Sequence, residues 1–213
     1  MTEAEWLACT DPGPMLEFLR GKVSDRKLRL FAAACCRRVW PQLTGPLWRE
    51  AVERSEHLAE GQAGPEESAI LRARIWQKWR MPADAAARLA VSVELDARAA
   101  WEVARVASWG NPHLSRADEQ LAQCQLVRDI FGNPFRPAAI STAWQTPQVV
   151  PLAQAAYDQR ELPSGTLDPA RLAVLADALE EAGCDNADVL NHLRGPGPHV
   201  RGCWAVDLLL GKA

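Results

Sequence analysis

Residues 25–40, Asp-Arg-Lys-Leu-Arg-Leu-Phe-Ala-Ala-Ala-Cys-Cys-Arg-Arg-Val-Trp, carry the clearest helical pattern in the chain. Their apolar residues recur at intervals of three and four, which places them on one face of a helix. They are Leu28, Phe31, Ala32, Cys35, Cys36 and Val39. Ser24 stands before the stretch as a good N-cap, and Pro41 lies just past its end. The pattern predicts a helix over 25–40 whose apolar face packs into a core.

The rest of the chain extends this helical pattern in both directions. Further helices are predicted over 12–20, 46–60, 66–80, 83–109, 115–130, 147–160, 169–182, 186–193 and 202–210, with a short turn near 141–145. No segment alternates apolar and polar residues, and runs of Val, Ile and Tyr are missing, which argues against a sheet. The sequence therefore predicts an all-α fold, a compact array of about eight to ten helices. We expect a single domain over 1–213, with a possible subdivision into 1–110 and 111–213.

Composition limits the possible compartments and functions. The chain has 213 residues, a net charge of −3 and six cysteines, so it has no global basic field for nucleic acid and too few cysteines for a disulfide scaffold. The first residues resemble no signal peptide, and no apolar run is long enough to cross a membrane. A cytoplasmic protein is expected. The adjacent Cys35 and Cys36 are interpreted as buried core thiols, the alternative being thiolates activated by Arg37 and Arg38.

Both ends of the chain resemble a large paralogous family of uncharacterised planctomycete proteins. The motifs that carry the resemblance are Pro-Met-Leu-Glu-Phe-Leu-Arg-Gly-Lys (14–22), Asp-Arg-Lys-Leu-Arg-Leu-Phe-Ala (25–32), Cys-Cys-Arg-Arg (35–38), Ile-Phe-Gly-Asn-Pro-Phe-Arg-Pro (130–137) and Gly-Pro-Gly-Pro-His-Val-Arg-Gly-Cys-Trp (195–204). The resemblance implies a class of origin and no particular activity.

Two of these motifs, 131–137 and 195–204, are rich in the residue types that anchor protein interfaces. Glycine and proline in them favour structured connections, and aromatic and arginine side chains are the usual anchors of a docking surface. The leading hypothesis is a non-enzymatic helical protein that binds another protein. Its candidate contact residues are Phe131, Asn133, Phe135, Arg136, His199, Arg201 and Trp204.

A second hypothesis is a nucleic-acid-associated regulator. Residues 20–80 hold 13 basic and 7 acidic side chains, and basic residues alternate there with tryptophan, a pattern that suits stacking on single strands. The candidates are Arg72, Arg74, Trp76, Lys78, Trp79 and Arg80. The alternative is a solvated helix face above an apolar core stripe, which we favour.

A third hypothesis is a small zinc protein. Cys184, His192, His199 and Cys203 form a C-x7-H-x6-H-x3-C series within 20 residues, and Zn²⁺ takes Cys and His ligands in a tetrahedron. The spacing differs from that of standard zinc fingers. In the alternative interpretation Cys184 follows a helix stop, His192 sits in the last turn of a helix and Cys203 belongs to the core. No cofactor is the favoured expectation.

Overall fold

The structure is a computed structural model that describes residues 1–76, 82–91, 96–111, 113–139 and 141–212, including all side chains there except those of residues 65, 72, 76 and 82. In this part of the chain the fold is all-α, as predicted, with twelve α-helices and two 3-10 helices. The described residues pair as β-structure only in two isolated bridges, Glu161 with Thr166 and Thr166 with Val200. None of the described helices is long and apolar enough to span a membrane.

The chain divides into two compact units, Met1–Val127 and Arg128–Ala213. The helices of the first unit are α1 (Glu3–Ala8), α2 (Pro12–Leu19), α3 (Asp25–Arg38), α4 (Pro46–Ala59), α5 (Pro65–Trp76), α6 (Pro82–Ala90), α7 (Ala97–Gly110) and most of α8 (Arg116–Phe131), with a 3-10 turn at Trp40–Gln42. The second unit contains the last turn of α8, then α9 (Val149–Asp158), α10 (Pro169–Glu181), α11 (Ala187–Arg194) and α12 (Trp204–Leu210), with a 3-10 turn at Thr142–Trp144.

Helix α3 is the centre of the first unit. All six residues of the predicted apolar face are buried, which confirms the pattern, and so are Leu30, Ala33 and Ala34 on its other sides. The helix packs against α4, α6 and α7. Ser24 accepts a hydrogen bond from the backbone N–H of Lys27, the N-cap that the sequence predicts.

The expected count of eight to ten helices was too low for two reasons. Helix α1 was not predicted, although Thr2 and Glu5 form a reciprocal capping box around its first turn. The single helix predicted over 83–109 is two helices, because Asp96 caps a new one by accepting a hydrogen bond from the N–H of Ala99. Residues 83–90 and 97–100 are both rich in alanine, and the apolar periodicity therefore did not reveal the break between the two helices.

The boundary between the two compact units falls inside α8, at 127/128. The first turns of α8 are fixed to the first unit through polar groups: Gln123 Nε2 donates to the carbonyl of Ala104 at 2.9 Å, and Glu119 accepts from both Nε and Nη2 of Arg38 at 2.8 and 3.0 Å. Helix α7 and the first turns of α8 therefore lie within one unit.

The second unit packs α9, α10, α11 and α12 around one apolar core. Its largest fully buried side chains include Tyr157 and Leu167. The sequence offers Asp185 or Asn186 as the N-cap of α11, and Asn186 is the one that accepts hydrogen bonds from the N–H groups of Asp188 and Val189. The link between α11 and α12 is anchored to residues 161–167, because the N–H of Leu167 donates to the carbonyl of His199 at 2.8 Å. This link carries much of the site described next.

Candidate functional site

Four side chains of the second unit converge on one point: Asp129, His192, His199 and Cys203. Each offers one potential ligand atom, and these atoms all lie within 4.8 Å of one another. Asp129, His199 and Cys203 are buried, and His192 is partly exposed, with 20% of its side chain accessible. A carboxylate, two imidazoles and a thiol are thus gathered in one mostly enclosed place.

Three separate segments position these side chains. Asp129 lies in the last turn of α8, and His192 lies in the last turn of α11. His199 belongs to the link that follows α11, and Cys203 is the N-cap residue of α12. Three of the four therefore fall within 12 consecutive residues, whereas Asp129 comes from a helix 63 residues before His192.

Asp129 contacts both histidines of the cluster. Its Oδ1 lies 3.1 Å from Nε2 of His192 and 3.0 Å from Nδ1 of His199. Its Oδ2 accepts the backbone N–H of Val200 at 2.9 Å. The two carboxylate oxygens thus contact different groups. Oδ1 faces the two histidines, and Oδ2 fixes the link between α11 and α12 by a hydrogen bond.

His199 is held in a defined tautomer. Its Nε2 lies 3.1 Å from the carbonyl oxygen of Gly195, and because a carbonyl only accepts hydrogen bonds, Nε2 carries a proton. In the neutral ring Nδ1 then presents a lone pair to Oδ1 of Asp129, which is also an acceptor. These two atoms, 3.0 Å apart, need a positive charge between them, either a proton or a metal ion.

His192 uses a single ring nitrogen for two contacts. Its Nε2 lies 3.1 Å from Oδ1 of Asp129 and 3.2 Å from Sγ of Cys203. The ring stands edge-on to that of His199, with centroids 4.8 Å apart, and lies against Trp204, with centroids 5.0 Å apart. Trp204 therefore covers the partly exposed member of the cluster.

Two glycines of the unusual motifs support this arrangement. Gly132 adopts a left-handed φ of 69°, and a Cβ there would meet Cγ of Trp204 at 3.1 Å. Gly197 adopts a φ of 81°, and a Cβ there would meet the backbone nitrogen of His199 at 2.8 Å. The positive φ favours glycine at both places. The contact at Gly197 is shorter than real Cβ contacts, whereas the one at Gly132 would require Trp204 to shift by a few tenths of an ångström.

Contacts within the cluster change the pKa values of Asp129 and His199. Burial alone would raise the pKa of Asp129, but hydrogen bonds from His192 and His199 outweigh it and bring that pKa below its ordinary value. Burial alone would lower the pKa of His199, but the hydrogen bond and the charge of Asp129 outweigh it and raise that pKa. The carboxylate is thus stabilised in its ionised form even though it is buried.

This geometry differs from that of a cysteine nucleophile with a His–Asp pair. In such a triad one nitrogen of the imidazole takes the thiol proton while the other donates to the carboxylate. Here both Cys203 and Asp129 approach the same nitrogen of His192, and Cys203 is fully buried. Four ligand atoms facing a common point are better suited to hold a cation than to attack a substrate.

Cys184, the first residue of the predicted zinc series, is not in the cluster; Asp129 stands in its place. Cys184 belongs to the apolar core of the second unit, after the end of α10. Burial raises its pKa. The signal for Asp129 was weak but present, because it lies three residues after the buried Leu126, at a helix position where a carboxylate needs buried partners.

The predicted interaction residues fall into two groups. His199 is buried and Trp204 lies on His192, so both belong to the cluster. Arg136 is exposed, and Phe131, Asn133, Phe135 and Arg201 are half-buried. Asn133 accepts a hydrogen bond from the N–H of Phe135, which fits the structured connector that the sequence suggests. Binding of a protein partner through these residues stays a prediction.

Most of the predicted nucleic-acid residues lie outside the description. Residues 78, 79 and 80 are not among the described residues, and the side chains of residues 72 and 76 are not described. Arg74 is exposed, and its Nη1 lies 3.7 Å from Oε1 of Glu50. The nucleic-acid hypothesis stays a prediction.

Comparison with protein-family models, with curated proteins and with solved structures finds no match for this chain. The functional argument therefore depends on the cluster itself, and the resemblance of the two ends of the chain to a planctomycete family stays an expectation.

Proposed function

We propose that this protein binds one divalent transition-metal ion, of the zinc type, at Asp129, His192, His199 and Cys203, and that the ion stabilises the C-terminal unit. The observation that carries the proposal is the convergence of four ligand atoms, one carboxylate oxygen, two imidazole nitrogens and one sulfur, within 4.8 Å of one another. A buried group of this kind is expensive to assemble unless something positive occupies its centre.

The spacing of the atoms supports a tetrahedral ion. With bonds of 2.0–2.3 Å, the ligand atoms of tetrahedral zinc lie about 3.3–3.6 Å apart. The distances from Asp129 to the two histidines, and from His192 to Cys203, are 3.0–3.2 Å. The other pairs of ligand atoms lie within 4.8 Å, so side-chain movements between a few tenths of an ångström and about 1 Å would bring all four atoms to distances that suit zinc.

The charges support the same ion. A divalent cation with one carboxylate, one thiolate and two neutral imidazoles makes a centre with no net charge, which removes most of the cost of burial. Imidazole and thiolate are ligands that zinc prefers over magnesium or calcium. The hydrogen bond from His199 Nε2 to the Gly195 carbonyl is the outer contact that ligating histidines commonly make.

The burial of the cluster favours a structural role over a catalytic one. Catalytic zinc sites keep one position open for water or substrate, whereas structural sites are closed by four protein ligands. Three of the four residues here are buried and Trp204 covers the fourth. The ion would join α8, α11 and the start of α12.

Native mass spectrometry of the full chain, purified without chelator and then titrated with ZnCl₂, tests the proposal. We expect the mass of one zinc ion per chain and its removal by a chelator. Cys203→Ala should lose the ion. Cys184→Ala is the matched control, since it removes a buried thiol of the same unit that lies outside the cluster, and it should keep the ion.

A chain that stays metal-free at micromolar zinc overturns the proposal, as does a Cys203→Ala variant that binds zinc as tightly as the unmodified protein. In the first case the positive charge beside Asp129 is a proton on His199, and the cluster is a hydrogen-bonded part of the core.

A further inference from the structure

Backbone groups of the link between α11 and α12 form one hydrogen bond with Asp129 and one with His199. Oδ2 of Asp129 is occupied by the N–H of Val200 at 2.9 Å, and Nε2 of His199 is occupied by the carbonyl of Gly195 at 3.1 Å. Only Oδ1 and Nδ1 remain directed to the centre. Both restraints come from backbone groups of residues 195–200.

Turning the Asp129 carboxylate so that both oxygens met an ion would break its bond to Val200. That N–H would then be buried without its acceptor, which is unfavourable. The orientation that keeps this hydrogen bond directs Oδ1 of Asp129 to the two histidines, and the four residues together then supply four donor atoms. Ca²⁺ takes six to eight oxygen ligands and Mn²⁺ prefers oxygen ligands, so these four residues alone do not fill the shell of either ion.

We propose, given the metal site proposed above, that the 195–200 link fixes the coordination number at four and thereby selects tetrahedral ions such as Zn²⁺ and Co²⁺ over Mn²⁺ and Ca²⁺. In this assignment His192 binds through Nε2, His199 through Nδ1, Asp129 through Oδ1 alone and Cys203 through Sγ. The link is a specificity element, although most of its residues supply no ligand atom.

Gly197 offers a way to disturb the link without removing a ligand. A Cβ at this position would lie 2.8 Å from the backbone nitrogen of His199 and 3.2 Å from its Cδ2, so Gly197→Ala has to displace His199 relative to Gly195. Gly183→Ala is the matched control, because Gly183 has a similar φ of 83° in the same unit and nothing within 4 Å of a Cβ.

The experiment is Co²⁺ absorption spectroscopy of the full chain, with competition by ZnCl₂ and MnCl₂. We expect intense visible bands of four-coordinate Co²⁺ and a thiolate charge-transfer band, displaced by Zn²⁺ and unaffected by excess Mn²⁺. Gly197→Ala should weaken Zn²⁺ binding about 10–100-fold, the usual effect of an altered outer contact, and should weaken the visible bands. Gly183→Ala should leave both unchanged.

Nitrogen NMR of the zinc-loaded protein tests the atom assignment directly, through the protonated nitrogen of each ring: Nε2 for His199 and Nδ1 for His192. If zinc binds while Co²⁺ shows the weak spectrum of five or six donors, or while Mn²⁺ competes equally, the inference about the link fails and the metal site stands. If no zinc binds, the metal site itself fails.

Discussion

The two units stabilise their buried carboxylates in different ways. In the first unit Glu56 accepts hydrogen bonds from Nε and Nη2 of Arg37 at 2.6 and 2.8 Å, and Glu119 accepts hydrogen bonds from the same two atoms of Arg38. In the second unit Asp129 faces two histidines. A guanidinium keeps its charge at any pH at which proteins fold, whereas an imidazole gives up its proton readily. An arginine-held carboxylate is permanently neutralised, and a histidine-held one can accept a metal ion instead.

Breaking an arginine-held pair should give the largest loss of stability. Glu56→Ala removes the two hydrogen bonds and the charge that Glu56 offers the buried guanidinium of Arg37, and we expect a loss of about 3–5 kcal/mol of unfolding free energy. Urea unfolding of the full chain measures it, with and without zinc, and the loss should be the same in both. Glu17→Ala removes an exposed partner of Arg20 and should change stability by about 0.5 kcal/mol or less. A zinc-dependent effect of Glu56→Ala would contradict the contrast between the units.

Metal binding should act on the histidine-held unit alone. At a free zinc concentration 1,000 times the dissociation constant, we expect a gain of about 4 kcal/mol. Hydrogen exchange measured by mass spectrometry should then show slower exchange in peptides from 128–212, by up to about 1,000-fold. Peptides that contain α3 and α4 serve as the internal control and should not change. Equal protection in both units would mean that zinc acts elsewhere.

The aromatic cover of the cluster can be tested at Gly132. Gly132→Ala forces an alanine into a left-handed conformation and against Trp204, and we expect a loss of about 1–2 kcal/mol. Gly183→Ala carries the same backbone cost with open space around the added methyl. The difference between the two variants in urea unfolding isolates the contact with Trp204. No difference would show that the tryptophan moves aside freely.

Helix capping should contribute similarly in both units. Asn186→Ala removes the cap of α11, and Asp96→Ala removes the cap of α7. Each should cost about 1 kcal/mol. In zinc-free protein the two losses should agree in chemical denaturation. A further loss for Asn186→Ala in the zinc-bound form would show that the cap also aligns His192.

The adjacent cysteines of the first unit should show no measurable reaction. Burial raises the pKa of Cys36 to about 12 and raises that of Cys35 well above its ordinary range, so neither forms the reactive thiolate at neutral pH. Iodoacetamide labelling of the native chain at pH 7.5, read by mass spectrometry, should modify the partly exposed Cys9 and leave both unmodified. Rapid labelling of Cys36 would restore the hypothesis of an activated thiol.

What could be predicted from the sequence was mostly local. The apolar face of α3 and its cap at Ser24 depend on residues three or four positions apart, and the pattern gave both correctly. The cap at Asp96 was missed because alanine, which favours helix on either side, offered no contrast. The candidate site divides in the same way: His192, His199 and Cys203 stand close together in the sequence, and their spacing pointed to a shared site.

Asp129 could not be paired with those residues from the sequence. Its neighbours along the chain predict a helix over 115–130, and they do not indicate which later segment contacts the last turn of that helix. Only packing of the C-terminal unit brings the link 195–203 to that turn. Cys184 was the candidate fourth ligand because it is close to the other three residues in the sequence. In the structure it lies in the apolar core of the second unit, outside the cluster.

The separation of Asp129 from Cys203 would give the proposed metal ion a topological role. Residues 129 and 203 are joined along the chain through α9, α10 and α11, and an ion bound at both would close this segment into a ring. A covalent ring of this size restricts the unfolded chain by about 4 kcal/mol. Leu162 is 67% exposed within the closed segment, and cleavage beside it would leave two pieces fastened by coordination bonds. Such a fastening needs no oxidising compartment, and it comes apart when the ion is withdrawn.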